Sequence, residues 1–252
     1  MKWKLLPSRR AGVDETTWSQ AIGYCRYAQA LDAPDRQRLR RLVEQFLRAK
    51  SFDGAGGFAP TPHVCAVVAV KACAPILNLG IDYYAGWSDI VVYPADFRVR
   101  DEYVDYAGVV HRESRDLCGQ SLSQGPMVLS WDAIAQERQA AARDVVIHEC
   151  AHKLDILNGA ANGFPPLHAH MSAKRWSRIF QDAYRRFADA VETGDETDLD
   201  PYAATDPAEF FAVMSEAFFT GPALVYRDFR PAYAELVEFY RQDPLALARS
   251  QK

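Results

Sequence analysis

The chain has 252 residues, 49% of them hydrophobic, enough to bury a sizeable core without disulfides. With 29 basic against 33 acidic residues the net charge is -4, so the chain as a whole lacks the basic footprint of a nucleic-acid-binding protein. Five scattered cysteines, Cys25, Cys65, Cys73, Cys118 and Cys150, contain no C-x-x-C pair, which argues against a secreted disulfide framework and against a cysteine-type zinc ribbon.

The N-terminal M-K-W-K-L-L-P-S-R-R carries basic residues but no apolar h-region, so a cytoplasmic protein is expected. Thr17 to Leu31 and Pro34 to Lys50 show helical periodicity around the breaker D-A-P, which predicts an N-terminal helical hairpin. Its basic run, Asp35 to Leu42, lies beside Leu39, Leu42, Val43, Phe46 and Leu47 at helical spacing and reads as a solvated face. The glycine-rich D-G-A-G-G-F-A-P-T-P, Asp53 to Pro62, is too irregular for a phosphate loop and reads as a turn. It divides an N-terminal helical segment, 1–52, from a larger domain, 53–252.

The apolar run Val64 to Leu77 is interrupted by Lys71 and Pro75 and falls short of a membrane span, so it predicts a buried core helix. Asp89 to Pro94 and Pro126 to Trp131 read as strands, the second as a candidate edge for pairing with an extended peptide. Between them, Arg98 to Gln124 shows little periodicity beyond one short strand near Tyr106 to His111. Gln136 to Leu157 is helical up to the stop signal Asn158-Gly159. Helices follow from about Lys174 to Thr193, from Asp206-Pro207 onward after an acidic linker, and in the C-terminal R-P-A-Y-A-E-L-V-E-F-Y. Strands feeding long helices make the fold α+β, with a small mixed sheet.

The long helix carries H-E-C-A-H, His148 to His152. Residues i and i+4 share a helix face, so both imidazoles can reach one ion, and Glu149 stands beside them as a candidate proton acceptor. A catalytic zinc site needs three protein ligands and an open position. The continuation H-x-x-G-x-x-H is not met, because Asp155 and Asn158 stand where the glycine and third histidine would be. The third ligand therefore comes from downstream. His168 and His170 form one candidate pair on a proline-rich loop. Glu209 and Glu216 form another, sharing one face of a strongly apolar helix where an ionised carboxylate needs a partner. Glu209 also fits the third position of a capping box begun by Asp206, and Glu216 fits a contact to a ligand histidine's other nitrogen.

H-E-C-A-H-K-L-D, N-G-A-A-N-G-F-P and D-P-Y-A-A-T-D-P-A-E-F-F-A-V-M-S-E-A-F-F closely resemble the Mlc titration factor A family of zinc peptidases. The likeness extends through F-D-G-A-G-G, A-C-A-P-I-L-N-L-G, Y-A-G-W-S-D-I-V-V-Y-P and G-P-M-V-L-S-W-D. The active-site region is also similar to the zinc site of anthrax lethal factor. The resemblance implies a zincin-like metallopeptidase domain holding one zinc ion through His148, His152 and Glu209. It implies Glu149 as general base and Tyr202 as hydrogen-bond donor to the tetrahedral oxyanion. Asp155, one turn beyond His152, is placed to orient a ligand histidine. Aminopeptidase-like cleavage of small peptides and binding of Mlc, a DNA-binding repressor of glucose uptake, are further implications. The competing expectation is a non-catalytic protein that titrates such a regulator around a structural or vestigial zinc. Neither direct nucleic-acid binding nor a membrane role is expected.

Overall fold

The computed structural model describes residues 12–95, 97–104, 110–117, 119–121, 125–136 and 143–250. Asp14 caps helix α1 (Glu15–Ile22), accepting the Thr17 amide at 2.9 Å. The helix expected to run on to Leu31 stops at Gly23, and α2 (Arg26–Ala30) follows as a separate short piece. Glycine disfavours a helix interior by about 1 kcal/mol, and here the chain closes with tight turns at Gly23, Tyr24 and Cys25 instead. Helix α3 (Ala33–Ala49) is capped by Asp32 and buries Leu39, Leu42, Val43 and Phe46, as its periodicity predicts.

The segment read as a turn opens with a strand, β1 (Ser51–Gly54), and position 52/53 lies inside it. Its tetrapeptide S-F-D-G has no apolar alternation; parallel pairing with β2 (Asp89–Tyr93) and the Ser51–Asp89 side-chain bond of 2.6 Å hold it. Gly54 is obligatory, since a Cβ there would stand 1.7 Å from the Phe58 carbonyl oxygen. Between these strands α4 (Pro62–Cys73) is almost wholly buried and ends at the still-helical Ala74, because Pro75 has no N–H to continue the ladder.

An antiparallel ribbon, β3 (Phe97–Val104) with β4 (Val110–Leu117), occupies most of the stretch whose sequence shows little periodicity beyond one short strand. Positions 105–109, which hold most of the short strand expected there, lie outside the described residues. Strands β5 (Gly119–Ser121) and β6 (Met127–Ser130) complete a mixed sheet of order β1-β2-β6-β5, with β1, β2 and β6 parallel and β5 antiparallel to β6. The expectation that Pro126 to Trp131 forms a sheet edge is therefore overturned: β6 is hydrogen-bonded on both sides, and Trp131 already begins α5 (Trp131–Gln136).

The helix expected from Gln136 to Leu157 is likewise shorter in its described part. Asp144 is extended and caps α6 (Val145–Asp155). Then come α7 (Ala173–Thr193), α8 (Pro207–Thr220), α9 (Pro222–Asp228), α10 (Arg230–Tyr240) and α11 (Pro244–Arg249). Helix α6 packs against α4 and α8 and against β5 and β6, which places the H-E-C-A-H segment between sheet and helices. Helix α8 supplies Phe210, Phe211, Phe218 and Phe219 to the core, each side chain contributing roughly 1.5–3 kcal/mol by burial. Residues from α1 to α11 join one hydrophobic cluster. The architecture is α+β, as read from the sequence. No helix among the described residues is long and apolar enough to cross a membrane.

Candidate metal centre

Helix geometry builds the first part of the site. Asp144 accepts the Ile147 amide at 3.1 Å and starts α6, and one turn later His148 and His152 project from the same face. Their rings meet edge-on at 4.9 Å between centroids, with Nε2 to Nε2 at 3.2 Å. Helix α8 brings the third group: Asp206 accepts the amides of Ala208 and Glu209, Pro207 opens the helix, and Glu209 stands in its first turn. Glu209 Oε2 lies 3.1 Å from His148 Nε2 and 3.3 Å from His152 Nε2.

Three ligand atoms thus form a nearly equilateral triangle with sides of 3.1, 3.2 and 3.3 Å. A tetrahedral ion with bonds of about 2.0–2.1 Å separates its ligand atoms by about 3.3–3.4 Å, so the triangle fits such an ion with little adjustment. Among the described residues this is the one group of three metal-binding side chains so arranged. Two imidazole nitrogens facing each other at 3.2 Å also need a positive centre between them, a proton if not a metal.

The two carboxylates at the site sit in opposite electrostatic situations. Burial works to raise the Glu209 carboxyl, but the two imidazoles overcome it and hold the group far below the usual range. Burial pushes Glu149 up, and His148 and His152 offset it only in part. Glu149 is 2% exposed, and its Oε2 is buried with no hydrogen-bond partner among the described residues. The two carboxylates are thus pushed in opposite directions, Glu209 toward the ionised form and Glu149 toward the protonated one. Burial lowers His148, but its bonds to Glu209 and Glu216 outweigh that and bring it up to about 10.

Tyr202 is 41% exposed, in a 3-10 turn at Pro201–Ala204 that Asp200 caps. Its hydroxyl donates to Glu209 Oε1 at 3.3 Å, and its ring centroid is 6.4 Å from that of His148. Glu216 is not in the triangle: its Oε2 is 3.3 Å from His148 Nδ1, and its Oε1 accepts the Asp144 amide at 2.5 Å. Asp155 differs from expectation, since its Oδ2 accepts the Asn162 and Gly163 amides at 2.8 Å and it makes no bond to a histidine among the described residues. His168 and His170 stack on each other away from the triangle, with His168 Nε2 on the Phe239 carbonyl oxygen at 2.8 Å. Sequence reasoning missed Asp144 as the residue joining α6 to Glu216; its N-cap residue type ahead of V-V-I-H-E was the available signal.

The family model described as glucose-regulated metallo-peptidase M90 matches residues 2–241. The chain belongs to this M90 family. Relatives named Mlc titration factor A support the assignment. That of Klebsiella pneumoniae subsp. pneumoniae is 36% identical over 250 residues, covering 98% of this chain and 94% of its own length. That of Cronobacter sakazakii is 36% identical over 251 residues, covering 99% and 94%, and that of Escherichia fergusonii 34% over 252 residues, covering 99% and 95%. A metallo-peptidase family implies a metal, and the His148–His152–Glu209 triangle is a group in this M90 chain that can hold one.

Proposed function

We propose that the protein is a zinc-dependent, aminopeptidase-like metallopeptidase of the cytoplasm, with His148, His152 and Glu209 as ligands to one zinc ion. The observation that carries this reading is the triangle of ligand atoms beside the buried, unpartnered Glu149 Oε2. When bound, zinc lowers the pKa of its water toward about 7 and polarises a carbonyl. The chain's own groups do the rest. Glu149 takes a proton from the attacking water and passes it to the leaving amine, a role that its burial and raised pKa suit. Tyr202 turns its hydroxyl from Glu209 Oε1 to the oxygen on which negative charge develops.

A second reading rests on the name of the relatives, Mlc titration factor A. In it the protein binds an Mlc-like DNA-binding repressor of glucose uptake, either beside peptide hydrolysis or in its place. Glu149→Gln separates the two. It is expected to keep zinc and repressor capture while losing peptide hydrolysis by roughly 10²–10⁴-fold. Undiminished hydrolysis removes Glu149 from the mechanism, and capture by a wild type that cleaves no peptide leaves the binding role alone.

A further inference from the structure

Lys71 is the single Lys, Arg, Asp or Glu of α4, a helix otherwise of Val, Ala and Cys after its opening Pro62-His63, and it is 2% exposed. Its Nζ lies 2.9 Å from Oδ2 of Asp144, which is 3% exposed. Removing both ions from water is costly, and a well-packed apolar pair is often as stable or more so, so fold stability alone gives little reason for the pair. Asp144 is where the pairing is used. Its Oδ1 caps the Ile147 amide at 3.1 Å, and its own amide donates to Glu216 Oε1 at 2.5 Å. Glu216 Oε2 in turn lies 3.3 Å from His148 Nδ1, while His148 Nε2 faces the triangle. A buried chain of contacts therefore runs from α4 through the start of α6 and the middle of α8 to a candidate ligand.

We propose that Lys71 is a positioning residue for the metal centre. Pairing with Asp144 fixes the amide that holds Glu216, and Glu216 fixes the ring orientation and Nδ1–H tautomer of His148. The inference rests on the zinc reading above. Without the ammonium, two buried carboxylates, Asp144 and Glu216, stand next to each other and repel. The Asp144 side chain then moves and carries the cap with it. His148 feels the movement directly, because its amide donates to the Asp144 carbonyl oxygen at 3.0 Å.

The test is Lys71→Met in the full chain. Zinc affinity is read by competition with a chromophoric chelator, and ligand geometry by the visible absorption of the Co(II)-substituted protein. Near-ultraviolet circular dichroism of the metal-free protein checks the fold. Wild type is expected to take up one zinc ion, and Lys71→Met to bind it about 10–100-fold more weakly with a changed Co(II) spectrum. Unchanged affinity and spectrum, with a lowered melting temperature alone, overturn the proposal and leave Lys71 as a structural ion pair. If Lys71→Met does not fold, Lys71→Gln, which removes the ammonium charge beside Asp144 and Glu216, is read on the same two measurements, and an unchanged result there overturns it equally. A wild type that takes up no zinc overturns the zinc reading itself.

Discussion

The two helices that meet at the candidate metal centre deliver their candidate ligands by different means. Helix α6 offers His148 and His152 from adjacent turns, so the 3.2 Å between their Nε2 atoms follows from helix geometry and ring rotation within one element. Helix α8 offers Glu209 from its first turn, where the cap by Asp206 and the packing of neighbouring loops decide the position. The α6 pair is therefore a local fact, and the third ligand is a tertiary one. Helix α8 also shows how little residue type decides: Glu209 and Glu216 reach the same imidazole from opposite nitrogens, Nε2 and Nδ1.

Removing each carboxylate in turn breaks this comparison most sharply. Glu209→Ala deletes one of three ligands, and dialysed protein is expected to retain almost no zinc by elemental analysis. Glu216→Ala leaves the triangle complete and costs a smaller factor, about 10–100-fold in affinity. Equal retention by the two variants would cancel the distinction between them. Tyr202→Phe tests the open side of the same carboxylate. Loss of the hydroxyl is expected to lower kcat for peptide hydrolysis by roughly 10²-fold with zinc affinity unchanged. A fall in affinity instead would make Tyr202 a support for Glu209 rather than a donor to substrate.

Legibility in the sequence follows the same division between local and tertiary. His148 and His152 stand out because i, i+4 spacing is a property of one helix, and α3, α7 and α8 begin where their N-cap residues stand. Spacing could not separate Glu209 from Glu216, since both lie on one face of α8; the resemblance to a family named Glu209, and the structure places only that one in the triangle. Strand β1 is not legible because S-F-D-G holds one apolar residue, Phe52, and is held by β2 through backbone pairing. Helix α6 begins later than its pattern predicts, at Val145, because Asp144 is extended and gives its amide to Glu216, 72 residues away in the chain. Lys71 read as a mere interruption of an apolar run, because nothing near it in the sequence shows the carboxylate it meets. The β3–β4 ribbon was lost because charged residues interrupt the alternation of both strands.

The smallest expected effect probes how the first turn of α8 is held. Gly163 has φ +73°, and a Cβ there would stand 2.4 Å from the Pro207 carbonyl oxygen. Its amide donates to Asp155 Oδ2 at the end of α6, and its carbonyl accepts Trp176 Nε1 of α7 at 3.1 Å. The residue thus joins α6 and α7 by hydrogen bonds and lies against Pro207 of α8, two positions ahead of Glu209. Gly163→Ala adds left-handed strain of about 1–2 kcal/mol, and relief of the contact moves Pro207, for about 2–3 kcal/mol in all by urea unfolding. Gly159→Ala is the matched control: its φ is +106°, but nothing lies within 4 Å of a Cβ there. It is expected to lose stability by the strain alone and to keep zinc affinity, whereas Gly163→Ala weakens zinc because Glu209 shifts while the α6 pair does not. If the two variants weaken zinc equally, contact with Gly163 does not set the third ligand, and the cap by Asp206 alone must hold it.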